Sequence, residues 1–358
     1  MTALKSSVAK LKTLERACKA LEQTVRSVRA MPRDVPGKPS THIDGFADLE
    51  LASGVRVSIP VQIVAAAEGS TLVSRYLAST TGHEKGASSR VLVAPFVSTK
   101  TAEKLISLGI QFMDTAGNAY LERPGITILI TSRPKPEGLV IRPTSKSSSR
   151  RGLEITYVLL THPTALHATL QYIADAAGAA VSTTKEVLDD LESLGTLSVK
   201  GRKRRFTNID KANKDWMALY ASRLRPQLAA TRFTTSRPTW WREFDFAEHG
   251  AFLGGEPAAE LLTGTLKARD ITIYIPNDRQ GALIRQARLR ADPNGEIELI
   301  EPFWPTNSQH MMPVPDLDQP VVDPLLICAD LIRTGDDRNV EASWAVYEKF
   351  IRNSRGAG

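Results

Sequence analysis

Four consecutive cations, Arg202, Lys203, Arg204 and Arg205, follow Lys200 in the run LSVKGRKRRFTN. Guanidinium and ammonium groups at this density suit a polyanion, because each phosphate they neutralise releases condensed counterions and makes binding fall with salt. Upstream stand Ser182, Thr183, Thr184 and Lys185. Short hydroxyl side chains approach base edges or phosphates closely, and a neighbouring lysine adds a charged contact to either. The chemistry expected of these residues is recognition of double-stranded DNA, with affinity from the basic run and modest selectivity from the hydroxyl quartet.

Residues suited to bond-breaking chemistry are fewer. Asp48 in FADLEL, followed by the run IPVQIVA, resembles a restriction-endonuclease-like fold, in which an Asp on one strand and Glu-x-Lys on the next hold Mg²⁺ and activate water. Gln62 and Val64 stand where the Glu and Lys are needed, and an amide and an isopropyl group supply neither function. Gly254 and Gly255, then a helix, then Asp270 on DITIYI resemble the opening of the nucleotidyltransferase fold. Two carboxylates on one strand face are required there, and Thr272 fills the second place, with Glu298 as a third acid elsewhere. The six histidines show no metal-ligand spacing, no Walker-type phosphate loop occurs, and Cys18 and Cys328 lie far apart. The sequence therefore predicts no catalytic residue, no cofactor and no metal. Asp114 and Asn118 around Gly117 read as a turn, and Trp240 and Trp241 as packing.

The elements that must position the basic run lie in residues 151–208. LEITYVLL supplies one helix, and LHATLQYIADAAG a second that ends at Gly178, where a left-handed residue costs least. A third helix opens at Val181 with Ser182 as N-cap, and turns Val187, Leu188, Leu191 and Leu194 to one side. The segment after Gly195 reads as strand, turn at Gly201, strand. This order predicts a winged helix-turn-helix, whose third helix enters the major groove by its positive N-terminal end while the wing meets phosphate or the minor groove.

Around this centre, Leu4, Val8, Leu11, Leu14, Cys18, Leu21, Val25 and Val28 mark a basic amphipathic helix within residues 1–33, ended by Pro32 and Pro36. Residues 40–145 alternate β-rich runs with helices near 70–79 and 98–108, closed by a polar linker at 142–151. Residues 209–358 begin with a helix bearing Trp216, Leu219, Tyr220 and Leu224. Charge is divided unevenly: residues 1–33 hold eight Lys or Arg against two acids and 196–237 eleven against two, whereas 238–358 hold twelve against nineteen. The expected fold is α+β: a degenerate restriction-endonuclease-like domain behind the basic helix, a central winged helix-turn-helix, and an acidic, nucleotidyltransferase-like C-terminal α/β domain. No apolar run nears the roughly 18 residues of a membrane span, so a cytoplasmic protein without membrane contact is expected.

Four segments carry a resemblance to a known family: VLVAPFVSTKTAEKLISLGIQFMDTAGNAYL at 91–121, the helices and wing, WWREFDFAEHGAFLGGEPAAELLTG at 240–264, and ADLIRTGDDRNVEASWAVYEKFI at 329–351. In their order, from about residue 46 to the end, the chain resembles the AbiEi-type antitoxins of type IV toxin-antitoxin systems, in a longer form with an additional N-terminal domain. The resemblance implies a regulator that binds its own promoter or operator and represses an operon shared with a nucleotidyltransferase-like toxin. It further implies that the toxin is opposed without a stable complex, in phage defence or maintenance of a mobile element. A homodimer is left open. The rival readings are a metal-dependent nuclease or nucleotidyltransferase, and an architectural DNA-binding protein of a mobile element.

Overall fold

The computed structural model describes residues 2–33, 43–64, 72–73, 76–77, 90–137, 145–200, 203–305 and 319–352. The chain divides into two units, Met1–Pro143 and Thr144–Gly358.

In the first unit the apolar spacing of the N-terminus becomes α1 (Thr2–Thr24), which buries Leu14, Ala17, Cys18 and Leu21. The side chains of Leu4 and Val8, part of the expected stripe, lie outside the described residues. The helix stops well before Pro32, its expected end, since Val28–Arg33 is strand β1, with Val28 and Ala30 turned inward. Pro32, read as a helix stop, sits in this outermost strand, where a missing N–H costs no central ladder bond. β2 (Gly45–Leu51), β3 (Arg56–Ile63), β4 (Val91–Ala94), helix α2 (Thr99–Ser107), β5 (Phe112–Asp114), β6 (Ala119–Arg123) and β7 (Ile126–Ile130) follow.

The seven strands form one sheet in chain order, parallel across β3, β4 and β5 and antiparallel elsewhere. Alternation splits the core in two. Leu49, Val61, Val93 and Leu121 meet α1, while Leu92, Phe112 and residues of α2 pack on the other face. Of the helix expected near 70–79, Leu72, Val73 and Tyr76 are described and buried on that second face. Leu129 on β7, the other outer strand, is 61% exposed.

The second unit begins inside the expected linker: residues 142–144 are outside the described set, but Ser149 already caps the next helix by accepting from Gly152 N. That helix, α3 (Arg150–Thr161), is followed by a short 3₁₀ turn (Pro163–His167), α4 (Leu170–Ala177), α5 (Val181–Ser193), and the hairpin of β8 (Leu197–Lys200) and β9 (Lys203–Phe206). α6 (Ile209–Leu219) leads to β10 (Ala230–Thr234), β11 (Phe252–Gly254), α7 (Gly255–Thr263), β12 (Ile271–Tyr274), α8 (Asn277–Gln286), β13 (Arg290–Ala291), β14 (Ile297–Ile300), α9 (Pro324–Thr334) and α10 (Asp337–Tyr347). The second sheet runs β11-β12-β14-β10-β13, with only β12 and β14 parallel. Mixed sheets and helices make the chain α+β.

Aromatic groups join the helical and sheet halves of this unit. Trp216 stacks on Tyr157 at 4.9 Å and Tyr220 at 5.3 Å, donates its indole N–H to Leu153 O at 2.9 Å, and Phe303 meets Tyr157 edge-on at 5.1 Å. Trp240 and Trp241 are buried, Trp240 against Phe244 and Phe246. No helix among the described residues is long and apolar enough to cross a membrane.

Candidate nucleic-acid interface

Three helices and a hairpin are held by one apolar cluster: Ile155 and Leu159 of α3, Ile173 and Ala177 of α4, Val187, Leu188 and Leu191 of α5, and Leu197 of β8. Thr169 caps α4 through a bond from Tyr172 N, and Gly178 ends it in the left-handed region at φ 61°. The sharp turn there aims α5. Its N-cap position is Ala180, with no side-chain cap, so Ser182 lies one residue inside the helix instead of capping it.

The first turn of α5 presents Ser182 and Lys185 to solvent and leaves Thr183 half-buried. Thr184 is fully buried and returns its hydroxyl to Ala180 O at 3.0 Å, so it is removed from any surface contact. Lys185 pairs with Asp189 at 2.8 Å, and that hydrogen bond raises its pKa. No acid lies in the first turn, whereas Glu186, Asp189 and Glu192 are exposed further along. Charge and helix dipole therefore both make the N-terminal end of α5 the face for an anion.

The hairpin sorts its cations by register. Leu197 pairs with Phe206 and Val199 with Arg204, whereas Ser198 pairs with Arg205 and Lys200 with Lys203. Directly opposed residues share a face, so Arg204 points inward with Leu197 and Phe206. Its guanidinium donates to Ala168 O at 3.0 Å and to Leu166 O, at the end of the 3₁₀ turn. Lys200, Lys203 and Arg205 occupy the outer face, exposed. Arg202 and Gly201, the expected tip, lie outside the described residues. The inward place of Arg204 was readable from the alternation of Leu197, Val199 and Phe206; the acids on α5 were equally visible in VSTTKEVLDDLES.

The residues of the first enzyme-like constellation are set apart along the strands, and those of the second are gathered together. Asp48 pairs in register with Ser58, four residues before Gln62, which places them roughly 13 Å apart along the strands. A shared divalent ion with ligands at about 2.0–2.6 Å cannot bridge that gap. Asp48 instead binds Arg33 at 2.8 Å, and this bond with that from Ser58 holds its carboxyl below the usual range. In the second unit, Gly255, Glu256, Asp270, Thr272, Glu298 and Asp330 do line one cavity, but of only about 50 Å³. Small-ligand pockets begin near roughly 300 Å³.

The acids of that cavity are occupied. Glu298 binds Arg225 at 2.7 Å and Arg333 at 3.5 Å, Glu256 binds Arg338 at 2.8 Å, and Asp270 lies 3.5 Å from Arg232. Asp330 accepts from Tyr220 and Tyr274. Burial works to raise Glu298, but Arg225 and its neighbours outweigh it and hold the group low; burial and Glu256 push Asp270 up. Among the described residues no group of three His, Cys, Asp or Glu side chains is arranged to hold a metal. Asp114, read as a turn residue, is buried and accepts from Val97 N, Ala116 N, Asn118 N and Asn118 Nδ2.

Residues 205–352, from the end of the hairpin through the second sheet to the last helix, match the model of a family described as "Transcriptional regulator, AbiEi antitoxin, Type IV TA system". This segment is similar to the AbiEi antitoxins. The match begins at Arg205, so the α3–α5 helices and the segment 91–121, both read as part of the resemblance, lie outside it, and it spans less than half of the chain. No curated protein and no solved structure matches the chain.

Proposed function

We propose that the chain is a winged helix-turn-helix regulator that binds duplex DNA at its own promoter and acts as a type IV antitoxin against a nucleotidyltransferase-like toxin. The observation that carries this reading is the register of the hairpin, which gathers Lys200, Lys203 and Arg205 on one outer face while Arg204 fastens the hairpin to the helices. α5 packs against β8, so the acid-free first turn with Ser182 and Lys185 belongs to the same small assembly. The proposed DNA-reading set is therefore Ser182, Thr183, Lys185, Lys200, Lys203 and Arg205, with Arg202 kept as an expectation outside the described residues, and without Thr184 and Arg204. The AbiEi match over 205–352 supports the regulator and antitoxin role.

The chain works without catalysis, a reading supported by the arginines that occupy Glu256, Asp270 and Glu298 and by the separation of Asp48 from Gln62. Fluorescence anisotropy on the protein's own upstream duplex tests the DNA reading. Lys200→Ala/Lys203→Ala/Arg205→Ala is expected to weaken binding at least tenfold at moderate salt and to lower the slope of log K against log salt by about 3. Unchanged affinity and slope would place the interface elsewhere. Turnover of labelled DNA or nucleotides with Mg²⁺ or Mn²⁺, lost on Asp48→Ala or Asp270→Ala, would replace the regulator by an enzyme.

A further inference from the structure

We infer that the solvent face of α1 is a second, sequence-independent binding surface for the phosphate backbone of duplex DNA. Its apolar side is fully committed, with Leu14, Ala17, Cys18 and Leu21 at most 1% exposed. The opposite side presents Lys12, Arg16 and Lys19, at spacings of four and three, and the chain continues through exposed Arg26 and Arg29. Lys12 to Lys19 spans about 10 Å of helix, the axial length of about three phosphates on one strand. Of the two acids on this helix, Glu22 is engaged by Ala30 N, and only Glu15 shares the exposed face.

The arrangement is costly for the folded protein alone. Like charges at i,i+4 and i,i+3 destabilise a helix. Elsewhere this chain matches such positions, as in Lys185 with Asp189, Lys211 with Asp215, Lys214 with Asp210 and Arg352 with Glu348. On α1 Lys12–Arg16 and Arg16–Lys19 are like-charge neighbours at these spacings with Glu15 as the one exposed acid beside them, and Lys12, Arg16, Lys19 and Arg26 have no ion-pair partner among the described residues. A polyanion removes the repulsion and supplies the missing partners.

The test uses the full chain carrying Lys12→Gln/Arg16→Gln/Lys19→Gln/Arg26→Gln, titrated with a scrambled-sequence duplex and with the upstream duplex across a salt series. Affinity for both is expected to fall by about tenfold or more, the salt slope by about 3.6, and the ratio between the two duplexes to stay the same. The swap Lys12→Arg/Arg16→Lys/Lys19→Arg/Arg26→Lys is expected to bind as the parent does. Unchanged slope in the neutral variant, or equal loss in the swap, would each overturn the inference. It stands apart from the hairpin reading: loss here with none in the hairpin variant removes that reading and keeps this one, and the converse result does the opposite.

Discussion

Arg204 and Lys203 are neighbours with opposite duties. The Arg204 guanidinium is spent on Ala168 O and Leu166 O, whereas the Lys203 ammonium is exposed on the outer face. Charged hydrogen bonds contribute about 1.5–3 kcal/mol, and the half-exposed site places Arg204→Ala at the low end of that range. Chemical denaturation is expected to show this loss for Arg204→Ala and almost none for Lys203→Ala. The salt slope of DNA binding should divide the pair the other way, falling by about 1 for Lys203→Ala and staying level for Arg204→Ala. Equal behaviour of the two in both measurements would contradict the register. The basic run was legible in the sequence from composition alone. Its division into outward and inward members needed the two-residue period applied from Val199 across the turn. Thr184 was misplaced for a similar reason: its position one turn before Leu188 already set it on the buried stripe of α5.

At the scale of elements, the turn between α4 and α5 decides where α5 points. Gly178 holds φ at 61°, and a Cβ built there would lie 3.2 Å from Pro305 Cγ. Left-handed backbone costs a residue with a side chain about 1–2 kcal/mol, so Gly178→Ala is expected to lower the thermal midpoint by that equivalent. A midpoint equal to the parent's would mean that the turn relaxes. Helices and strands near this turn were legible from apolar spacing and from Gly178 itself. The end of α1 was not, because Val25 and Val28 continue a helical spacing while Val28 and Ala30 also satisfy the two-residue period of a strand. Strand register was also hidden: nothing in FADLEL or IPVQIVA states that Asp48 faces Ser58 and not Gln62.

Across the whole of the second unit, stability depends on charges that the sheet buries. Glu298, 12% exposed and clasped by Arg225, titrates below the ordinary carboxylate range. A lowered folded pKa contributes stability that is present above the unfolded value, about 4.3, and is lost as pH falls through the folded one. Glu298→Gln leaves Arg225 without its closest carboxylate, and breaking a buried pair costs about 3–5 kcal/mol. Denaturant titrations are therefore expected to find the variant less stable at neutral pH, with the gap to the parent narrowing below about pH 4. A gap independent of pH would separate Glu298 from the arginine. Because Trp216, Tyr157 and Phe303 form one aromatic seam, this loss reaches the helices that carry the hairpin. The two rims of the seven-stranded sheet, finally, are unequal invitations to a neighbouring molecule. β1 offers Pro32 and the arginines Arg29 and Arg33, a poor template for another strand, while β7 reads ITILI, uncharged, with Leu129 in solvent. If crowded chains associate, they are expected to do so by way of β7, which would set the solubility ceiling at that rim and not at the basic one.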